Sequence, residues 1–205
     1  MRAAGATLVV LTGGRSSRMG VDKALLDAGG VPLAARPALA LAALCDEVVL
    51  AGRAVPGVAG RVVPDAPGAE GPLAGIVAGL RAASRDLCVV AACDMPTIEP
   101  GLVALLLDAL EQDPALDVAV CAGAGGRLEP LPFAARRAAA VGRLETAVEA
   151  GVRSINGALE AALAGVVPAR AWRQVDPDGA TFASWNTPSD VRELPPLRPP
   201  PGSCG

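Results

Sequence analysis

The sequence predicts a single α/β domain whose mainly parallel sheet carries helices on both faces. First, hydrophobic residues make up 52% of the chain and charged residues 19%, which is enough apolar material for a sizeable core. Second, the length of 205 residues suits one large α/β domain better than two. Third, short apolar runs alternate with longer helical segments, and this alternation is typical of parallel sheets.

Five strands are predicted from apolar runs bounded by turn residues: Thr7–Leu11, Glu47–Ala51, Arg61–Val63, Leu87–Ala92 and Asp117–Ala122. The run at 87–92 contains no polar residue, as expected of a central parallel strand. Helices are predicted between and after these strands: Leu33–Leu44, Gly71–Ser84, Pro100–Glu111, Arg136–Ala150 and Ser154–Leu163. The pattern weakens after residue 127, where Arg173–Val175 is predicted as a late strand. The proline-rich end predicts a domain over residues 1–194 and a disordered tail over 195–205.

Composition excludes several classes of chemistry. The chain contains no His, which excludes Ser-His-Asp and Cys-His catalysis and imidazole metal sites. Aromatic residues make up 2% and the net charge is −3, so neither nucleic acid nor an anionic membrane is an expected partner. Five cysteines without a CxxC pair favour a reducing, cytoplasmic location. No apolar stretch approaches the length of a membrane helix.

The segment after the first strand is the most informative part of the sequence. It reads LTGGRSSRMGVDK from Leu11 to Lys23, and it combines three glycines, two serines, two arginines and the only lysine of the chain. Glycines let backbone N–H groups approach an anion, and three cations within one loop suit a polyphosphate. The spacing matches neither the GxxxxGK[ST] loop nor the dinucleotide GxGxxG. The alternative is a glycine-rich turn with solvated arginines.

Two carboxylates follow predicted strands. Asp94 ends the most apolar strand, at the edge of an α/β sheet where ligands bind, which favours a metal ligand over a helix cap. Asp65 lies in a Pro-Asp-Ala-Pro string and suits a turn equally well. Further residues stay open between a structural and a functional role: Arg127, Arg136 and Arg137 as a solvated face or an acceptor site, and Asn186 as a helix cap.

LTGGRSSRMGVDKA resembles the signature of nucleotidyltransferases that build sugar nucleotides, methylerythritol cytidylates and molybdopterin dinucleotides. Within that superfamily the chain most resembles the molybdenum cofactor guanylyltransferase family. Further segments occur in the expected order over roughly residues 6–193: Pro64-Asp65, Gly71-Pro-Leu-Ala-Gly75, Ala92-Cys-Asp94-Met-Pro96, Glu129-Pro-Leu131 and Ser184-Trp-Asn-Thr-Pro-Ser-Asp190.

The resemblance implies a Rossmann-like nucleotidyltransferase fold and a set of site residues. It implies that the segment 11–14 (Leu11, Thr12, Gly13 and Gly14) lines the nucleotide, that Lys23 and Arg18 act on its phosphates, that Asp65 contacts it near the base, and that Asp94 binds Mg²⁺. The chain departs from the family at two points. Thr12 stands where the family usually has Ala, and residues 49–53 lack the Asn that many members carry after the second strand.

The implied reaction is transfer of GMP from GTP to the molybdopterin form of the molybdenum cofactor, with release of pyrophosphate. Molybdenum-insertion and molybdoenzyme maturation proteins are further candidate partners. Two alternatives remain open at this point. One is a related transferase, such as a cytidylyltransferase for the same pterin or a guanylyltransferase for phospholactate; the other is an inactive, nucleotide-binding regulatory subunit.

Overall fold

The computed structural model describes residues 5–13, 23–67, 71–185 and 190. Over these residues the chain forms seven strands: β1 (Ala6–Leu11), β2 (Cys45–Ala51), β3 (Arg61–Val63), β4 (Leu87–Ala92), β5 (Val118–Ala122), β6 (Leu128–Arg136) and β7 (Ala164–Val167). Six helices accompany them: α1 (Arg36–Ala40), α2 (Pro72–Ala82), α3 (Pro100–Gln112), α4 (Arg137–Glu149), α5 (Ile155–Glu160) and α6 (Ala169–Trp172).

The strands form one sheet in the order β3-β2-β1-β4-β6-β5-β7. Neighbours pair in parallel, except that β6 runs antiparallel to both β4 and β5. The predicted fold class, a mainly parallel sheet with helices on both faces, is therefore confirmed. Each of the five predicted strands is present within two residues of its expected bounds.

Alternating side chains of the central strands separate two cores. Leu8 and Val10 of β1 pack into one core with residues of α3, whereas Val9 packs into the other with residues of α2. This alternation follows from the two-residue period of a strand. Both α2 and α3 begin at a proline, Pro72 and Pro100, because the first turn of a helix does not need that N–H group. None of the described helices is both long and apolar enough to cross a membrane.

The second half of the chain differs from the prediction. Arg173–Val175, predicted as a strand, forms a turn after α6, in which the Val175 N–H donates to the Trp172 carbonyl at 3.1 Å. The strands β6 and β7 were not predicted, and residues 41–44 of the first predicted helix form a turn. The proline-rich tail at 195–205 lies outside the described residues, so its predicted disorder and the domain boundary at residue 194 stay predictions.

Candidate active site

The carboxyl ends of β1, β2, β3 and β4 meet at one edge of the sheet because these four neighbouring strands are parallel. Loops at this edge are where open α/β sheets bind ligands. Of the predicted site residues, Leu11, Thr12, Gly13, Lys23, Asp65 and Asp94 are described and lie in these loops or strand ends. Gly14 and Arg18 lie outside the described residues, and their roles stay predictions.

Lys23 and Asp94 form an ion pair, although 71 positions separate them in the sequence. The Lys23 Nζ lies 2.6 Å from the Asp94 Oδ2, and the two side chains are 16% and 22% exposed. The only lysine of the chain is thus held against the carboxylate at the end of β4. Both groups keep some exposure, so a ligand can reach them.

Ser184 adds a second hydrogen bond to the same carboxylate oxygen. Its hydroxyl donates to the Asp94 Oδ2 at 2.7 Å, and the next residue, Trp185, donates its backbone N–H to the Asp94 carbonyl at 3.1 Å. Residues 184–185 therefore pack against Asp94. The sequence pattern placed Ser184 in a motif but gave it no role, because a contact over 90 positions leaves no local signal.

Asp94 does not cap the following helix. Helix α3 begins at Pro100, and its N-cap residue is Glu99. The alternative interpretation of Asp94 as a helix cap is therefore wrong, and the carboxylate is available for other partners.

Arg36 braces the segment that carries Lys23 against the loop that carries Asp94. It is 3% exposed, and its guanidinium donates to the carbonyls of Ala28 at 3.1 Å and Pro96 at 3.3 Å. Desolvation by burial lowers the pKa of Arg36. Sequence reasoning missed this residue, because an arginine in an Ala-Leu-rich helix resembles any solvated arginine.

Asp65 lies on the other side of β1. Its Oδ1 is 3.3 Å from the position that a Cβ on Gly13 would occupy, and 3.5 Å from that of a Cβ on Gly75. Two predicted motifs, the glycine loop after β1 and the Gly71–Gly75 segment that opens α2, therefore meet at this carboxylate. Gly13 and Gly75 leave room for it, which favours a site role for Asp65 over that of a simple turn residue.

Leu11 connects the two groups of residues. Its carbonyl accepts the Cys93 N–H at 3.2 Å, next to Asp94, while its Cδ2 lies 3.3 Å from the Cβ position of Gly75. Lys23 and Asp94 lie toward β4, and Asp65 follows β3 on the opposite side of β1. The edge thus carries the Lys23–Asp94 ion pair near β4 and the Asp65 carboxylate on the opposite side of β1, near β2 and β3.

Arg136 is not part of this edge. Its guanidinium pairs with Asp86 at 2.9 Å and donates to the Leu110 carbonyl at 2.8 Å, beside the start of β4. The acceptor-site interpretation of Arg136 is therefore wrong. Asn186 lies outside the described residues.

A lysine–carboxylate pair at the carboxyl ends of parallel strands defines the chain as an α/β protein with a ligand-binding edge. The model of the MobA-like NTP transferase domain matches residues 8–163. A probable molybdenum cofactor guanylyltransferase of Pelotomaculum thermopropionicum is 35% identical over 189 residues, 91% of this chain and 90% of that protein. The molybdenum cofactor guanylyltransferase of Burkholderia vietnamiensis is 40% identical over 162 residues, 73% of this chain and 78% of that protein.

Two solved structures have a similar fold. Molybdopterin-guanine dinucleotide biosynthesis protein A from Archaeoglobus fulgidus superposes with a TM-score of 0.73 at 26% identity, covering 91% of this chain and 95% of that one. The 2-C-methyl-D-erythritol 4-phosphate cytidylyltransferase of Thermus thermophilus shares the fold, with a TM-score of 0.64 at 19% identity over 92% of this chain and 96% of that one. The chain belongs to the MobA-like NTP transferase family, and the resemblance seen in the sequence is confirmed.

Proposed function

We propose that this protein transfers GMP from GTP to the molybdopterin form of the molybdenum cofactor, releasing pyrophosphate and forming molybdopterin guanine dinucleotide. The observation that carries the proposal is the Lys23–Asp94 pair at the carboxyl edge of the sheet, in a chain 35–40% identical to proteins named molybdenum cofactor guanylyltransferase.

The reaction is a direct displacement. A phosphate oxygen of the acceptor attacks the α-phosphorus of GTP, and the bond from that phosphorus to the oxygen bridging to the β-phosphorus breaks. Pyrophosphate leaves with that oxygen. The protein supplies no covalent nucleophile, which suits a chain without His. Its own task is to position the two phosphates and to stabilise the charge that develops between them.

Lys23 is assigned to the phosphates of GTP. A compact ammonium suits the crowded oxygens of a triphosphate. Since the Lys23 Nζ lies 2.6 Å from the Asp94 carboxylate, phosphates bound at Lys23 would lie next to Asp94. Arg18 and the backbone N–H groups of the glycine loop are assigned to the leaving pyrophosphate.

Asp94 fits a site for Mg²⁺. Its carboxylate is a hard oxygen donor, it is 22% exposed, and Lys23 and Ser184 both donate to its Oδ2. Mg²⁺ needs only one or two carboxylates when phosphates supply further oxygens, so the lack of a cluster of three acidic or thiol groups among the described residues is compatible with it. When bound, Mg²⁺ neutralises charge on the reacting phosphates.

Asp65 and the backbone of the segment 11–14 are assigned to the nucleoside. Asp65 follows β3, and its Oδ1 approaches Gly13 on the side of β1 that faces away from the Lys23–Asp94 pair. The cytidylyltransferase alternative has only a shared fold in its favour, because that structural neighbour is 19% identical. The regulatory-subunit alternative does not explain why a lysine and a carboxylate converge at the ligand edge.

The proposal is tested by measuring pyrophosphate release with GTP, CTP, ATP and UTP in the presence of Mg²⁺, each with and without the molybdopterin form of the cofactor. We expect release with GTP only when the acceptor is present. Release with CTP in preference to GTP would make the protein a cytidylyltransferase. No release with any nucleotide would favour the regulatory role.

A further inference from the structure

A buried hydroxyl links the loops that follow β1 and β2. Thr12 is 2% exposed, and its Oγ1 accepts the Arg53 N–H at 3.0 Å. The same hydroxyl donates to the Arg53 carbonyl at 2.9 Å, with the Ala51 carbonyl as a second acceptor at 3.2 Å. One side chain therefore holds both polar backbone groups of Arg53.

The backbones of the two loops also touch. The Ala51 carbonyl accepts the N–H groups of both Thr12 and Gly13 at 2.9 Å. Gly52 has a φ of 124°, and a Cβ there would lie 2.3 Å from the Gly13 nitrogen. The glycine allows the close approach, but a glycine also loosens a loop. The Thr12 hydroxyl offsets this freedom because it holds the backbone of Arg53, the residue after Gly52.

The position of this contact connects it to the nucleotide. In the sheet order, β2 lies between β1 and β3. The loop after β2 therefore lies between Gly13, which follows β1, and Asp65, which follows β3. These are the residues assigned to the nucleoside, whereas Lys23 and Asp94 lie on the β4 side.

We propose that Thr12 is a positioning residue for the nucleoside half of the site: its hydroxyl fixes the backbone of Arg53 and so sets the wall against which the nucleoside binds. The proposal rests on the proposed function. A loop that is already ordered costs less entropy when the ligand binds, so the contribution appears in nucleotide affinity and not in the chemical step. We expect this contribution in the Kd of a whole nucleotide and not in the Kd of a ligand that consists of phosphates alone.

The variant that tests this is Thr12→Val, which keeps the shape of the side chain and removes the hydroxyl. Titration calorimetry with Mg²⁺ measures the Kd of GTP and, separately, that of tripolyphosphate. We expect the Kd of GTP to rise about tenfold, as for the loss of one well-formed hydrogen bond, and the Kd of tripolyphosphate to stay at its wild-type value. Thr12→Ser keeps the hydroxyl and is expected to restore GTP binding.

Thr7→Val is the matched control, because Thr7 lies at the other end of the same strand. Thr7 is also buried, its hydroxyl donates to Glu47, and it accepts the Arg85 N–H at 3.3 Å. Removal of the Thr7 hydroxyl should lower thermal stability, as removal of the Thr12 hydroxyl should. Thr7, however, lies at the end of β1 that is away from the ligand edge. We expect Thr7→Val to lower the Tm and to leave the Kd of GTP unchanged.

The proposal is wrong if Thr12→Val binds GTP like the wild type, if GTP and tripolyphosphate weaken equally, or if Thr7→Val weakens GTP binding as much. Should Thr12→Val fail to fold, Thr12→Ala removes the same hydroxyl with less bulk, and the same criteria apply. A wild-type protein that binds CTP better than GTP overturns the guanylyl assignment instead. The Thr12 comparison, made with CTP, then still decides the positioning role.

Discussion

Lys23 and Asp94 neutralise each other's charge at the carboxyl ends of the strands, because the Lys23 Nζ lies 2.6 Å from the Asp94 Oδ2. A separated lysine and carboxylate at a sheet edge would attract solvent ions, but a pair 2.6 Å apart is nearly neutral. A nucleotide with a divalent cation brings both partners at once, the phosphates for Lys23 and the cation for Asp94. Substitution of Lys23 should therefore weaken binding of the cation as well as of the phosphates, and substitution of Asp94 should weaken both as well.

We expect Asp94→Asn to lower kcat on the order of 10²–10³-fold, because it removes one preorganised charge at a phosphoryl transition state. The amide keeps one acceptor oxygen for Ser184, so the fold should be retained. Turnover measured against Mg²⁺ concentration, together with thermal unfolding, checks this. Near wild-type turnover at ordinary Mg²⁺ would place the metal elsewhere.

Asp86→Asn is the control for Asp94→Asn. Asp86 comes just before β4 and Asp94 just after it, so the two aspartates lie at opposite ends of the same strand. Asp86 is 64% exposed and pairs with Arg136. Its substitution should leave turnover and its dependence on Mg²⁺ unchanged.

We expect Lys23→Met to raise the KM for GTP and to lower kcat, with little loss of stability, because methionine keeps the apolar stem of the side chain and removes only the ammonium group. Lys23→Arg should rescue only in part, since a planar guanidinium cannot replace a compact ammonium among phosphate oxygens. Steady-state kinetics of both variants checks this. Full activity of Lys23→Met would contradict the phosphate role.

At the scale of single residues, the sequence predicted those whose signal is local. Lys23 and Asp94 follow strands, and the edge of a parallel sheet brings such residues together. The Ser184 hydroxyl and the Arg36 brace depend on contacts over 90 and 60 positions, which no local pattern encodes. The Thr12 side chain was assigned to the nucleotide by resemblance, but its hydroxyl is used by the backbone of Arg53.

At the scale of elements, the five strands up to residue 122 were predictable because each consists mainly of consecutive apolar residues. Strand β6 contains Pro130 and Pro132, which argue against a strand. Its pairing with β5 jumps from Phe133 to Glu129, so the prolines fall where the register is broken. Strand β7 has four residues and begins inside the alanine-rich run 158–164, which hides its start.

The contact between the loops after β1 and β2 gives an element-scale prediction. Gly52→Ala should destabilise the protein on the order of 3 kcal/mol, because it adds backbone strain and presses a methyl group onto the Gly13 backbone. It should also raise the KM for GTP. Urea unfolding and steady-state kinetics measure the two effects.

Gly57→Ala is the matched control for this loop. Gly57 also has a positive φ, of 78°, but a Cβ there meets nothing within 4 Å. We expect a loss of about 1–2 kcal/mol from the left-handed backbone alone, and no change in KM. Equal losses in both variants would show that the approach of Gly52 to Gly13 is not tight.

At the scale of the whole molecule, the sheet divides two cores, and each contains a buried thiol. Cys88 of β4 lies in the core under α2, and Cys121 of β5 lies in the core under α3. Desolvation by burial raises the pKa of each thiol to about 12. Both therefore stay protonated in the folded protein at pH values where an unfolded thiol has already lost its proton.

The sign of the resulting pH dependence follows from this difference. Between pH 9 and about 12 the folded state holds protons that the unfolded state has released, so stability must fall as pH rises through that range. The slope approaches about −1.4 kcal/mol per pH unit for each thiol. Tyr is absent, but the chain has three further cysteines, so a variant without Cys88 and Cys121 is needed to assign the decline to these two thiols.

We therefore expect the free energy of unfolding, measured by urea denaturation under reducing conditions, to decline steadily above pH 9. The double variant Cys88→Ala/Cys121→Ala removes both thiols, so its stability should be lower at neutral pH but should depend less on pH above 9. The comparison uses the slope of the free energy of unfolding against pH. The stability lost to the two small cavities does not affect this slope. An equally steep decline in the double variant would show that other groups cause the alkaline loss, and that the two cores do not hold their thiols protonated.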